Sequence, residues 1–155
     1  MKRSNELVPL SWDHHTGLTM AKRIPERLRS GAAPADMAAY VLHQWEAHLR
    51  GHFDKEEQLL APLIHAHDEG KALNSRLFDE HQQIAALIEQ MRQNDRAPLS
   101  PILLAFAALI KAHIKFEESV YFPAVESLLP PETLAGLGDI LHREHHEANP
   151  RDGLP

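Results

Sequence analysis

Apolar residues recur at spacings of three and four along nearly the whole 155-residue chain. That is the period of an amphipathic helix, and no alternating apolar–polar run of useful length breaks it. The pattern predicts four long helices and a shorter fifth. The first covers 11–30, with Ser11 as N-cap and Gly31 as its stop. The second starts after Pro34 and runs to 68, with Gly51 and Pro62 as weak points or kinks. The third covers 71–94. The fourth has Ser100 as cap and Pro101 in its first turn, and ends before Pro130. The fifth, over 132–146, trails into NPRDGLP. Connections of a few residues make neighbouring helices antiparallel. The expected fold is therefore all-α, an up-down-up-down four-helix bundle with a short C-terminal helix. One domain over 1–155 is expected, with the bundle core at 10–129 and the last helix and tail at 131–155.

Each inward stripe is interrupted by the same kind of residue. The first helix turns His14, Leu18, Ala21 and Leu28 inward; the third turns Leu77, His81, Ile84, Ile88 and Met91. The second reads Trp45, Leu49, His52, Glu56, Leu59 or Leu60, Leu63, and the fourth reads Phe106, His113, Glu117, Val120 or Tyr121, Ala124. In the second and fourth, a histidine and a glutamate four residues apart share one face. In the first and third, a single histidine follows an acid: Asp13–His14 and Glu80–His81. Counted from the loops at about 1.5 Å per residue, all six interruptions fall in one layer within a turn or so.

That layer holds four imidazoles and two carboxylates. Unpaired buried carboxylates are very costly, and a pair of cations removes the cost. Four nitrogens as terminal ligands and two carboxylates as bridges meet the needs of a dinuclear site. Imidazole with carboxylate and no thiolate suits iron, with manganese or zinc as alternatives.

Composition narrows the picture. Cysteine is absent, which excludes disulfides and thiolate sites. The formal charge of −6 argues against a nucleic-acid partner. The longest unbroken apolar run, ILLAFAALI, is far short of the roughly 20 residues of a membrane span. With no leader-like segment in MKRSNELVPL, a cytoplasmic protein without a membrane partner is expected. Twelve histidines are several times the usual share.

Two stretches repeat one skeleton. HFDKEEQLLAP (52–62) and HIKFEESVYFP (113–123) both read HxxxEE with proline ten residues after the histidine. With Asp-His14 and Glu-His81, they make the chain resemble the hemerythrin-like, or HHE cation-binding, domain family over about residues 10–129. The resemblance implies a four-helix bundle holding a non-haem di-iron centre, bridged by carboxylates and an oxo or hydroxo group. Its metal ligands would be His14, His52, Glu56, His81, His113 and Glu117. The chain departs from the oxygen carriers of the family. Their fifth histidine, from HxxxH on the third helix, falls here on Ala85, and their fourth-helix carboxylate would be Glu118 rather than Glu117. The set resembles relatives linked to iron sensing, nitric oxide response or iron-centre repair, and Ala85 suggests an open coordination position beside it.

His15 is the alternative to His14, but it points about 100° away. His15, His48 and Tyr121 are candidates for supporting the site. Glu57 and Glu118 are expected to face solvent or pair with bases, and Trp12 and Trp45 to lie in a core or interface. A third HxxxE pair, His65–Glu69, lacks the surrounding motif and is set aside as chance, and His142, His145 and His146 receive no function. The last helix either covers a bundle face or makes a homodimer contact. The ferritin-like Glu-x-x-His and the protease H-E-x-x-H are both absent. Three readings remain: a module that binds or senses oxygen, nitric oxide or iron; a di-iron redox enzyme reducing peroxide or nitric oxide or repairing iron centres; and a bundle that uses metal only to fold.

Overall fold

The structure, a computed structural model, describes residues 2–93 and 98–148. It is all-α, with no strand among the described residues. α1 spans Val8–Arg29. A second rod strings together α2 (Pro34–Gln44), a π-helical turn (Trp45–Leu49), α3 (Arg50–Lys55), a second π turn (Glu56–Leu60) and α4 (Ala61–Ile64). α5 spans Asp68–Arg92. A fourth rod joins α6 (Leu99–Phe116), a π turn (Glu117–Tyr121) and α7 (Phe122–Leu128). α8 spans Pro131–Ala148.

Several boundaries differ from the sequence expectation, for local reasons. α1 begins before Ser11 because Pro9 fits its first turn, where a fixed φ suits the helix and the missing N–H costs nothing. Ser100 likewise lies inside α6, whose N-cap is Pro98. α5 starts at Asp68 rather than 71, with Asp68 and Glu69 complementing the positive end of the helix dipole. Gly31 does end the first helix. Its φ of 91° lies in the left-handed region, and the amides of Gly31 and Ala32 close back on the carbonyls of Leu28 and Arg27. The expected end of the third helix at Asn94 and the tail from residue 149 lie outside the described residues.

The repeated prolines explain two of the π turns. A proline inside a helix removes an i→i−4 bond and crowds the carbonyl four residues back. Here the amide just before each proline, Ala61 or Phe122, bonds five residues back to Glu56 or Glu117. The wide turn absorbs the break and adds one residue to the helical phase. Such turns gather at functional sites. The π turn at Trp45–Leu49 has no such proline, and nothing in its local sequence explains it.

This phase shift corrects one inward assignment. Leu63 is 38% exposed and Ile64 is fully buried in its stead; of the alternatives left open, Leu60 and Tyr121 are the fully buried ones, while Val120 is 43% exposed. Leu18 is also exposed, at 45%. The buried face of α1 runs instead through Leu10, His14, Gly17, Met20 and Ile24. Gly17 sets that choice, because a Cβ there would meet Ile114 Cδ1 at 2.7 Å; the glycine lets α1 lie close on α6, against which it packs.

The core divides into two apolar clusters. One gathers Met20, Ile24, Val41, Leu49, Ile84, Phe106 and Ile110; the other gathers Leu10, Leu60, Ile64, Leu77, Tyr121, Phe122 and Val125. Along α1 the chain passes from the second cluster to the first, along the second rod it returns, and α5 and the fourth rod repeat the pair of passages. Each passage crosses one layer of buried polar side chains: His14, His52 with Glu56, His81, and His113 with Glu117. Leu99–Leu128 is the one long apolar stretch among the described residues. It is long and apolar enough to cross a membrane by length and composition, although 44% of its most apolar window is buried in the protein.

Gly70 marks a tight joint between α4 and α5, since an added Cβ would collide with the Ile64 carbonyl. Gly70→Ala is expected to destabilise the fold by about 1–3 kcal/mol. Gly136→Ala, where a Cβ meets open space, should be neutral or stabilise by up to about 1 kcal/mol. Urea unfolding of the two variants checks the contrast.

Candidate metal centre

The polar layer is built by helix geometry. His52 with Glu56, and His113 with Glu117, project from one face of their rods. The π turns begin at the two glutamates, so the widened turns carry the carboxylates. His14 and His81 enter from α1 and α5. All six are at most 4% exposed, and both glutamates are fully buried.

Their inner atoms converge. His52 Nε2 lies 2.7 Å and His81 Nε2 3.1 Å from the Glu56 carboxylate. His113 Nε2 lies 2.9 Å and His14 Nε2 3.3 Å from Glu117 Oε1. Yet none of these Nε2 atoms, and none of the four carboxylate oxygens, makes a hydrogen bond of acceptable angle. Eight buried polar atoms are thus left without partners, at a cost of about 1–3 kcal/mol each and more for charged groups. They are aimed at points between them rather than at each other. The ligand atoms sort into two overlapping sets, His14, His52, Glu56, Glu117 and Glu56, His81, His113, Glu117, each within 4.8 Å. Nitrogen and carboxylate oxygen without sulfur is a donor set for a transition metal, and a cation satisfies the orphaned atoms. The residues present fit a metal-binding site.

The family model for the hemerythrin HHE cation-binding domain matches residues 13–125. The chain belongs to this family. No curated protein and no solved structure matches it. The matched span of this hemerythrin-like chain takes in all six residues of the layer.

Outside the layer, every imidazole is held by its other nitrogen. His52 Nδ1 donates to Asp13 Oδ2 at 3.0 Å and His81 Nδ1 to Glu57 Oε1 at 2.8 Å. His113 Nδ1 donates to Glu80 Oε1 at 3.0 Å and His14 Nδ1 to Glu118 Oε1 at 2.6 Å. The four bonds close a cycle: α1 supplies the acid for the second rod, that rod for α5, α5 for the fourth rod, and the fourth rod for α1. Each bond leaves the inward Nε2 with its lone pair, the form a metal binds. Arg3 anchors one member, with Nη2 3.0 Å from Glu118 and Nη1 2.9 Å from Glu126. Sequence reading missed this ring. It expected Glu57 and Glu118 to face solvent or pair with bases, and noted Asp13 and Glu80 only as neighbours of His14 and His81. The signal was the acid beside each ligand, read on the wrong helix.

Electrostatics within the hemerythrin-like layer follow from burial. Burial, and then the charge of Glu117, pushes Glu56 well above the usual carboxylate range, which favours its protonated form while no cation is bound. Burial opposes charge on Glu117 too, but the nearby His113 and its neighbours Glu56 and His14 outweigh burial and hold its carboxyl well below the usual range. Burial and the neighbouring His113 push His81 down to about 3, a neutral ring. Burial lowers His14 and His113 as well, yet Glu117 and the outer acids Glu118 and Glu80 raise both overall. A cation must displace these protons, so its affinity rises with pH.

The other sequence candidates fall outside the layer. His15 is exposed, and its carbonyl accepts from Thr19 Oγ1. His48 is exposed on a cleft wall. Tyr121 is fully buried and donates to Asn74 Oδ1 at 2.7 Å. Asn74 in turn donates to the Ala61 carbonyl and contacts His65, so the third HxxxE histidine sits beside this link and not in the layer. Trp45 is buried edge-on to Phe53, whereas Trp12 is 49% exposed.

Replacing an outer acid should loosen the histidine it orients. Glu80→Ala and Glu57→Ala are each expected to weaken ion affinity about 10–100-fold, with helix content and the number of ions at saturation unchanged. Competition with a chelator measures this, and unchanged affinity in both variants would deny the ring its orienting role.

Proposed function

We propose that the layer holds two iron ions in an up-down-up-down four-helix bundle, with α8 as a fifth helix against α1, and that the pair binds or senses oxygen, nitric oxide or iron itself. The observation that carries this reading is the sharing of Glu56 and Glu117 between two complete ligand sets. His14 and His52 would hold one ion, His81 and His113 the other, and the two glutamates would bridge them. Bound iron would supply redox chemistry and coordination positions for a small ligand. The chain's own part is to orient the imidazoles, share the carboxylates and keep out water. Phe53 stacks on His81, with centroids 4.1 Å apart and planes 14° from parallel. Phe122 lies parallel to His14 at 5.4 Å.

Access is supported on one side. Ala85, where the oxygen carriers place a fifth histidine, lies on a cleft of about 170 Å³ whose walls include Trp45, Phe53, Glu57 and His81. The His81–His113 ion would thus have one imidazole fewer and a passage beside it. Less supports a redox enzyme, because Tyr121, the candidate proton or electron donor, gives its hydroxyl hydrogen to Asn74. On the same reading Leu99–Leu128 is a core helix, since its middle carries His113 and Glu117, and the protein is cytoplasmic and works without nucleic acid.

Protein produced in iron-supplemented medium and cleared of loose metal should retain near two irons per chain, with an absorption spectrum that shifts reversibly on adding oxygen or nitric oxide. Glu56→Ala and Glu117→Ala should each lose more than one ion per chain, because each carboxylate serves both. Retention of one ion would count against bridging. Multiple turnover of peroxide or nitric oxide would move the reading to an enzyme. Ala85→Leu should keep the iron and suppress the spectral response; an undiminished response would place the ligand's path elsewhere.

A further inference from the structure

A second cluster of metal-binding side chains lies outside the layer. A cleft of about 500 Å³ is walled by Trp12 and Asp13 from α1, His48 from the second rod, and His142, His145 and His146 from α8. Spacings of three and four place these α8 histidines on one side of the helix. The α8 face is fixed in position. His142 Nε2 donates to the Asn5 carbonyl at 2.6 Å, and Trp12 packs between His142 and His145, with ring centroids at 5.9 and 4.8 Å.

Asp13 connects this cleft to the buried layer. Its Oδ2 accepts from His52 Nδ1 at 3.0 Å, while its Oδ1 stands 3.9 Å from His145 Nδ1. That second distance is too long for a hydrogen bond. It is also a few tenths of an ångström wider than the roughly 3.3–3.6 Å between two atoms on one tetrahedral metal ion, which bonds nitrogen and oxygen at about 2.0–2.2 Å each, so a small turn of the His145 ring would bring both onto one ion. His48 and His146, both exposed, line the same cleft.

We infer that Asp13 and His145, completed by His48 and His146, form an outer, exchangeable site for a divalent transition metal, from which the buried pair is loaded. An imidazole set suits iron(II), zinc or cobalt and not calcium or magnesium. Solvent access makes the site quick to fill and weak to hold, as a delivery position requires. Loading the buried layer means carrying a hydrated cation past apolar walls, and an ion already stripped of part of its water at Asp13 is one residue from His14 and one hydrogen bond from His52. Delivery, though not the site itself, rests on the layer being a metal centre.

The test uses metal-free full-length protein and zinc alone. Equilibrium dialysis counts bound zinc in wild type, in a His48→Ala/His145→Ala/His146→Ala variant and in a His43→Ala/His67→Ala control. Stopped chelator-exchange measures how fast the tightly held zinc is taken up. The expected result is one weakly held zinc per chain in wild type and control that the triple variant lacks, with the tight zinc unchanged in amount and slower to load. Equal counts of weak zinc in all three proteins would overturn the site. Equal loading rates would overturn delivery. Absence of tightly held zinc from all three would refute the buried centre instead, leaving the weak-zinc comparison to judge the outer site.

Discussion

Everything in this protein is arranged around the burial of charge. Two glutamates with no exposed surface sit among four imidazoles in the middle of an apolar core. Even after relaxation, the burial of an ion costs several kcal/mol, and no arginine or lysine among the described residues is buried beside these groups. Hydrogen bonds do not solve the problem, because the inward atoms lack them. Protonating Glu56 relieves part of it. A pair of cations relieves all of it, and does so through the same atoms. The outer acids make sense on the same terms. They take the Nδ1 hydrogens, hold each ring at a set angle, and add negative charge around a region intended for positive ions.

The ring of acids also ties fold to site. Because each helix orients the histidine of the next, no helix can shift or rotate without loosening a ligand elsewhere. The two apolar clusters on either side of the layer hold the register along the helix axes, and the ring holds it around them. The π turns belong to this mechanism. A regular α-helix with proline at 62 or 123 would lose a hydrogen bond inside the core; starting a wide turn at the glutamate moves that defect to the one place where a backbone deformation carries a ligand.

Much of this was readable in advance. The i, i+4 pairing of histidine with glutamate, repeated with its trailing proline, is a local signal, and the loop-to-layer counting brought His14 and His81 to the same level. The outer ring was not readable in the same way. Asp13 precedes His14 and Glu80 precedes His81, but adjacent helical residues point about 100° apart, so each acid faces the neighbouring helix instead. Resolving that needs the packing. The misassigned Leu18 and Leu63 have a related cause, for a strict 3.6-residue period cannot register a π turn or a glycine that draws one helix closer to another. Arg3, outside every helix, gave no periodic signal, yet it braces Glu118 and stacks over Phe122 at 5.2 Å.

The two repeats in the chain are alike in plan and unlike in surroundings, and the difference lies in what borders each half of the layer. Beside His52, α8 brings imidazoles and shares Asp13 with the centre. Beside His81, the cleft at Ala85 has Trp45 and Phe53 in its walls and no histidine other than His81 itself. The first border suits a cation, which needs polar donors along its path. The second, where Arg50, Asp54, Glu57 and Gln82 stand beside the aromatic rings, leaves space for a small molecule. A symmetric bundle would present the same border to both halves of the layer. Two independent features break the symmetry here, the α8 histidines and the alanine at 85, and under the proposed function they would keep metal traffic and ligand traffic apart.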